Sequence, residues 1–126
     1  MCLITIQLKP KIADKNIVCY KIVKKSKVKG VYKSGVQRFE YIIRQLYTNN
    51  LDIKYINIII KKHYSLFIIE KDMFHSYANY LPTKSAPSPN YITLKCIIPK
   101  GSYYFEGRQN NSLGYASSQI KILEEI

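Results

Sequence analysis

The chain has 126 residues but no tryptophan, two histidines, three cysteines, and eight acidic residues against 20 basic ones. Each shortage excludes something. Three cysteines cannot make a disulfide framework, and Cys2, Cys19, Cys96, His63 and His75 lack the spacing of a zinc site. No carboxylate pair for hydrolysis is recognisable among the acids. Only three of the basic residues are arginine and 17 are lysine, which argues against bidentate reading of base edges. Five glycines and five prolines exclude collagen-like and low-complexity designs. No apolar run reaches the ~18–20 residues of a membrane-spanning helix; Ile58-Ile59-Ile60 and Leu66-Phe67-Ile68-Ile69 are strand-length. The opening, Met1 to Lys9, is short and lacks the basic lead of a secretory signal. The expectation is a cytoplasmic protein with reduced thiols, no membrane partner, no metal and no cofactor.

What is present favours strands. Hydrophobic residues make up 47% of the chain, with 20 Ile and 12 Tyr among them. Branched and aromatic side chains suit a pleated surface. The length predicts a single domain over residues 1–126. Strands are expected at 2–8, 16–24, 53–60, 64–69, 91–98, from 103, and at 116–123. In 91–98, Ile92, Leu94, Cys96 and Ile98 alternate with Tyr91, Thr93, Lys95 and Ile97. Lys61 to His63 is expected as a hairpin loop, residues 82–90 as a Pro-rich loop, and Pro99-Lys100-Gly101 as a turn. A main helix is expected over 36–47, where Val36, Phe39, Ile42, Ile43 and Leu46 recur at helical spacing behind a Ser34/Gln37 capping box. A short second helix is expected at 78–81, capped by Ser76. The sum is an α+β fold: six to eight short strands in a mostly antiparallel sheet, with one main helix.

The net charge of +12 is the extreme value. Residues 1–33 hold nine lysines and one acid, Asp14. Such a field concentrates anions and speeds their encounter. Lys24 to Gly30 reads as a basic loop, whose lysines also protect a sheet edge from mispairing.

Three motifs offer chemistry. Phe74-His75-Ser76-Tyr77 sets a near-neutral titrating group beside a hydroxyl at an expected helix start, where a phosphate can be held. Ile98-Pro99-Lys100-Gly101-Ser102-Tyr103-Tyr104 brings a lysine near two rings that can stack a base, without the spacing of a P-loop. Removal of Met1 would expose Cys2, a nucleophile with its own amine as base. The candidate ligand-binding residues are Lys21, His75, Ser76, Lys100, Tyr103 and Tyr104, with no catalytic residue assigned.

The segments Asn16 to Lys21, Phe74 to Tyr77, Ile98 to Tyr104 with Gly107, and Tyr115-Ala116-Ser117 together resemble small proteins of bacteriophages and gut Bacteroidetes that begin Met-Cys-Leu. That family carries no assigned activity, and its pattern has Gly where Met73 stands here. The resemblance implies a phage accessory protein in the host cytoplasm. Many such proteins block host defence by occupying a host protein or sequestering a nucleotide messenger.

The first functional expectation is therefore a non-enzymatic protein that holds a phosphorylated, nucleotide-type ligand. The alternatives are a protein–protein inhibitor of an acidic host target contacted through residues 24–33, a nonspecific nucleic-acid binder, and a small enzyme using Cys2 or His75. A homo-oligomer is compatible with each.

Overall fold

A computed structural model of the chain describes residues 2–5, 10–34, 40–48, 59–60, 66–69, 73–80, 91–109 and 111–126. These residues form strands β1 (Cys2–Thr5), β2 (Lys11–Ile12), β3 (Ile17–Lys25), β4 (Val31–Ser34), β5 (Glu40–Ile42), β6 (Leu46–Thr48) and β7 (Ile59–Ile60). They continue as β8 (Leu66–Ile69), β9 (Phe74–Tyr77), β10 (Tyr91–Ile98), β11 (Tyr103–Gln109), β12 (Ser112–Ser117) and β13 (Gln119–Glu125). All thirteen belong to one sheet, whose main path runs β6-β13-β10-β3-β9-β12-β11-β1-β8-β7. Every described pairing is antiparallel.

The α+β expectation is thereby corrected: the described residues are all-β, without a helix, and hold more strands than the six to eight expected. Residues 36–39 of the expected main helix lie outside the described set. Its remainder is β5, a turn and β6. Arg44 has φ 67°, which no right-handed helix tolerates. Its N–H donates to the carbonyl of Ile122 at 2.7 Å, and the N–H of Ile122 donates to Gln45 at 3.1 Å. Backbone groups that a helix would satisfy internally are thus spent on β13. The supposed apolar stripe points the wrong way: Ile42 and Leu46 are exposed, while Tyr41 is buried. Tyr41 meets Tyr47 edge-on at 5.3 Å, and Tyr47 Oη accepts from the N–H of Ile42 at 2.7 Å. The second helix is corrected too. Ser76 caps nothing, because Phe74–Tyr77 is β9, paired with β12 from Ser117 to Gly114.

Other local expectations hold in part: the strand read at 116–123 is divided at Ser118 between β12 and β13, and residues 6–8 and 53–58 of two expected strands lie outside the described residues. β10 covers 91–98 as the alternation requires, and β3 matches the strand read at 16–24 within one residue. β7 and β8 pair, Ile59 opposite Phe67; the loop between them and the segment 82–90 lie outside the described residues. Pro99 to Gly101 turns sharply, with Gly101 at φ +88°. The turn region expected from Arg108 to Gly114 is shorter than expected, since β11 and β12 remain paired out to Gln109 and Ser112.

Two cores result, one on each face. Cys19, Val23, Leu94, Cys96, Ile98, Ile120 and Ile122 build the larger, closed by Tyr32 and Tyr41. Leu3, Met73, Phe105 and Ala116 build the smaller. Strand alternation divides them. Tyr104 and Tyr115 pack against the first cluster, while their neighbours Phe105 and Ala116, paired across β11–β12, face the second. Each large side chain fully buried here contributes ~1.5–3 kcal/mol.

The sheet also forks. One edge of β3 pairs with β10 along eight positions, from Ile17–Ile98 to Lys24–Tyr91. The other edge pairs with β9 only at Tyr20 and then with β4 from Val23 to Lys25. The fork therefore opens at Lys21 and Ile22.

Candidate functional site: a buried polar fork and a cationic outer face

Lys21, His75 and Ser76 are neighbours inside the protein, but only Lys21 and Ser76 share a face: His75, opposite Ala116, points to the side of the smaller core, and Ser76, opposite Tyr115, to the side of the larger. Lys21 is on the inward side of β3, in step with Cys19 and Val23, and is 5% exposed. Its ammonium donates to the backbone carbonyl of His75 and lies 5.0 Å from the centroid of the Tyr41 ring. Where β3 and β9 part, the lysine side chain thus supplies a donor to a carbonyl on β9.

His75 is 4% exposed, and neither ring nitrogen has a hydrogen-bond partner. Burial, reinforced by the Lys21 charge, lowers its pKa to about 3, with Gln109 opposing the shift. The imidazole is therefore neutral near pH 7. Ser76 is buried as well. It lies beside the thiol of Cys19, whose pKa burial raises to about 11 despite the lowering effects of Ser76 and Lys21.

Gln109 joins this cluster from β11. Its Nε2 donates to the carbonyl of Ser76 at 2.6 Å, while its Oε1 is buried without a partner. The side chain lies flat across Gly114: a Cβ there would stand 2.7 Å from Nε2. Opposite Gly114 in the ladder is Gly107, where a Cβ would stand 2.2 Å from the carbonyl oxygen of Ile4. This glycine pair lets the Ile4 backbone and the Gln109 side chain lie directly against the β11–β12 ladder.

The other three sequence candidates are elsewhere. Lys100 is exposed on the β10–β11 turn, its N–H donating to Asn16 Oδ1 at 2.9 Å. Asn16 precedes β3 and is five residues from Lys21, ~17 Å along an extended strand. Tyr103 is 41% exposed, and its N–H donates to Ser118 Oγ at 3.1 Å. Tyr104 packs edge-on against Tyr115 with centroids 5.9 Å apart. Lys100 and Tyr103 thus face solvent, whereas His75 and Ser76 are enclosed.

The outward side of β3 and β10 carries a different set. Register places Tyr20 opposite Lys95, Ile22 opposite Thr93, and Lys24 opposite Tyr91. The ammonium of Lys24 lies 5.2 Å from the Tyr91 centroid. Tyr80, 49% exposed, meets Tyr20 edge-on at 6.1 Å. On the far edge Lys24 faces Lys33 directly across β3–β4, and Lys33 faces Glu40 across β4–β5.

The expected basic loop is the end of this same hairpin. Lys24, Lys25, Lys27, Lys29 and Lys33 are exposed, with Val28 standing 64% exposed at the tip. The tip is well built. Ser26 N–H donates to the carbonyl of Val31 at 3.2 Å, Ser26 Oγ accepts from the N–H of Val28 at 3.1 Å, and Gly30 takes φ +82°. Lys25 is bound to Glu125 at 3.4 Å and, farther off, Lys11 to Glu106 at 3.3 Å.

Sequence reading missed the outer aromatic row and the Gln109–Gly114 contact. The alternation in 91–98 does carry a signal for the first, because it sets Tyr91 and Lys95 on one side; only the register with β3 shows that Lys24 and Tyr20 stand opposite them.

Among the described residues, no three His, Cys, Asp or Glu side chains are grouped to hold a metal ion. No helix among them is long and apolar enough to cross a membrane. These features define a class: the described residues are all-β, built on one forked antiparallel sheet with a lysine-rich hairpin. No protein-family model, curated protein or solved structure matches the chain.

Proposed function

We propose that the chain is a non-enzymatic binder of single-stranded nucleic acid, working through the outer face of β3, β4 and β10. The observation that carries this reading is the contact of Lys24, at the base of the lysine hairpin, with the Tyr91 ring, on a face where Lys95 stands opposite Tyr20 and Tyr80 meets Tyr20 edge-on. Ammonium groups neutralise backbone phosphates, and aromatic rings stack bases of any sequence. A scarcity of arginine fits this mode, which needs point charges rather than bidentate forks.

The Lys24–Lys33 pair supports it further. Like charges directly opposite each other in a sheet are unfavourable; Glu40 on the other side of Lys33 offsets part of that cost, and a phosphate seated between the lysines offsets the rest. A compact, acidic protein surface would satisfy the lysines equally but would leave the ring row without a role. The buried positions of His75 and Ser76 favour a structural part for them over contact with an external ligand.

The test is fluorescence anisotropy of a labelled oligothymidylate titrated with the full chain at several salt concentrations. With four phosphates engaged by Lys24, Lys27, Lys29 and Lys33, log K should fall with log salt at a slope of about −3. Tyr91→Ala should weaken binding about tenfold or more, in line with ~1–3 kcal/mol per stacked base. Undetectable binding at low salt would end the proposal. A salt slope near zero would do the same.

A further inference from the structure

Cys19 and Cys96 stand opposite each other in the β3–β10 ladder, on the inward face, both free thiols and both fully buried. Directly paired residues in an antiparallel sheet have Cα atoms about 4.5 or 5.5 Å apart, whichever type of pair they form. Both values fall within the ~4.4–6.8 Å that a disulfide spans. The two Cβ atoms, ~4.5–5.5 Å apart in such pairs, need to approach by about 1 Å. No strand has to move to a new register.

The register points to Cys19–Cys96 as a redox modification site: an intramolecular cross-strand disulfide formed when hydrogen peroxide oxidises the two thiols. Peroxide is the oxidant because both sulfurs are enclosed and only a small molecule reaches them.

The reaction balances in two steps. The Cys19 thiolate attacks one peroxide oxygen; an S–O bond forms, the O–O bond breaks, and the departing hydroxide takes the proton that Cys19 released, giving water. The Cys96 sulfur then attacks the sulfenic sulfur of Cys19. An S–S bond forms, the S–O bond breaks, and the second hydroxide leaves as water with the Cys96 proton. Two thiols lose two electrons in total, and one peroxide becomes two waters.

The surroundings assign the roles. Burial raises both thiols, and Lys21 opposes it at both. The Cys96 thiol also donates to the carbonyl of Leu94 at 3.7 Å, which holds its proton in place. Cys19 therefore ionises first and attacks, and Cys96 resolves. Because both values are high, oxidation at neutral pH is slow and accelerates with pH.

The experiment uses the full chain carrying Cys2→Ser, reduced and desalted, then exposed to hydrogen peroxide at pH 7, 8 and 9. Whole-protein mass should fall by two hydrogens, and a non-reducing peptide map should show the Cys19 and Cys96 peptides joined. The rate should climb roughly tenfold per pH unit. Adding Cys96→Ser should abolish the link and leave a sulfenic acid on Cys19 that dimedone traps. Three results overturn the inference. One is a disulfide between two chains. Another is dimedone labelling of Cys96 in the Cys19→Ser counterpart that is faster than that of Cys19 in the Cys96→Ser variant. The third is full alkylation of both thiols, after denaturation, following a peroxide dose that oxidises a free cysteine peptide.

Discussion

The ammonium of Lys21 donates to the backbone carbonyl of His75, across 54 residues of sequence, at the point where β3 and β9 separate. A side chain takes over where the ladder stops. A charged donor on a buried carbonyl is worth more than a neutral one, so this contact holds the fork at a fixed opening.

Lys21→Met keeps the length and burial of the side chain but removes the donor. The His75 carbonyl then lacks this partner, which costs ~1–3 kcal/mol. Urea unfolding should show the midpoint falling with an unchanged m-value. An unshifted midpoint would show that the carbonyl finds other partners at no cost.

His75 makes stability depend on pH in a definite direction. Its folded pKa of about 3 lies below the ordinary value of 6.5, chiefly because of burial and then the Lys21 charge. Between those values the unfolded chain binds the extra proton, so each step down in pH favours unfolding. The contribution is complete above pH 6.5 and is lost as pH falls toward 3, at up to ~1.4 kcal/mol per pH unit. His75→Gln should flatten the stability profile between pH 6 and 4 relative to the parent. Parallel profiles would place the acid sensitivity elsewhere.

The glycine pair gives a graded series. Gly114→Ala pushes its methyl group into Gln109, a movable side chain, and breaks the Nε2 bond to Ser76; the expected loss is ~1–3 kcal/mol. Gly107→Ala meets the Ile4 backbone instead, so its loss should be larger. Gln109→Ala combined with Gly114→Ala should cost less than the two separate losses added, because both remove the same hydrogen bond. Strict additivity in denaturant titrations would contradict the flat packing of Gln109 on Gly114.

Lys24→Gln separates stability from binding. It removes one of two facing charges on the β3–β4 hairpin, so unfolding free energy should hold within about 0.5 kcal/mol. Affinity for oligothymidylate should drop several-fold and the salt slope should shrink by about 0.7. Equal affinity for variant and parent would take Lys24 out of the interface.

Local periodicity was a sound guide where the strand is central and flanked on both edges. Over 91–98, Leu94, Cys96 and Ile98 are buried on the inward side as their spacing requires. At 36–47 the same reasoning failed. Ile42, Ile43 and Leu46 fit a helical face, yet Tyr41, Ile43 and Tyr47 fit a strand face equally well, and tertiary pairing with β4 and β13 chose between them. Edge strands of three residues leave too little alternation to compete with a four-point helical pattern.

The candidate site divides along the same line. His75 and Lys21 were legible as unusual residues, but their burial was not, since a basic or titrating side chain is ordinarily placed at the surface.

Composition alone determined the charge of +12 and the wealth of branched and aromatic side chains that favours strands, because both are sums over residues and need no partner. Tertiary structure decided the rest: that Cys96 faces Cys19, that Lys24 faces both Tyr91 and Lys33, and that Lys21 ends beneath the His75 carbonyl. Alternation says which side of a strand a residue occupies, and nothing about which distant strand will lie beside it. That choice is made by burying two cores on opposite faces of one sheet, a condition satisfied only by the assembled chain.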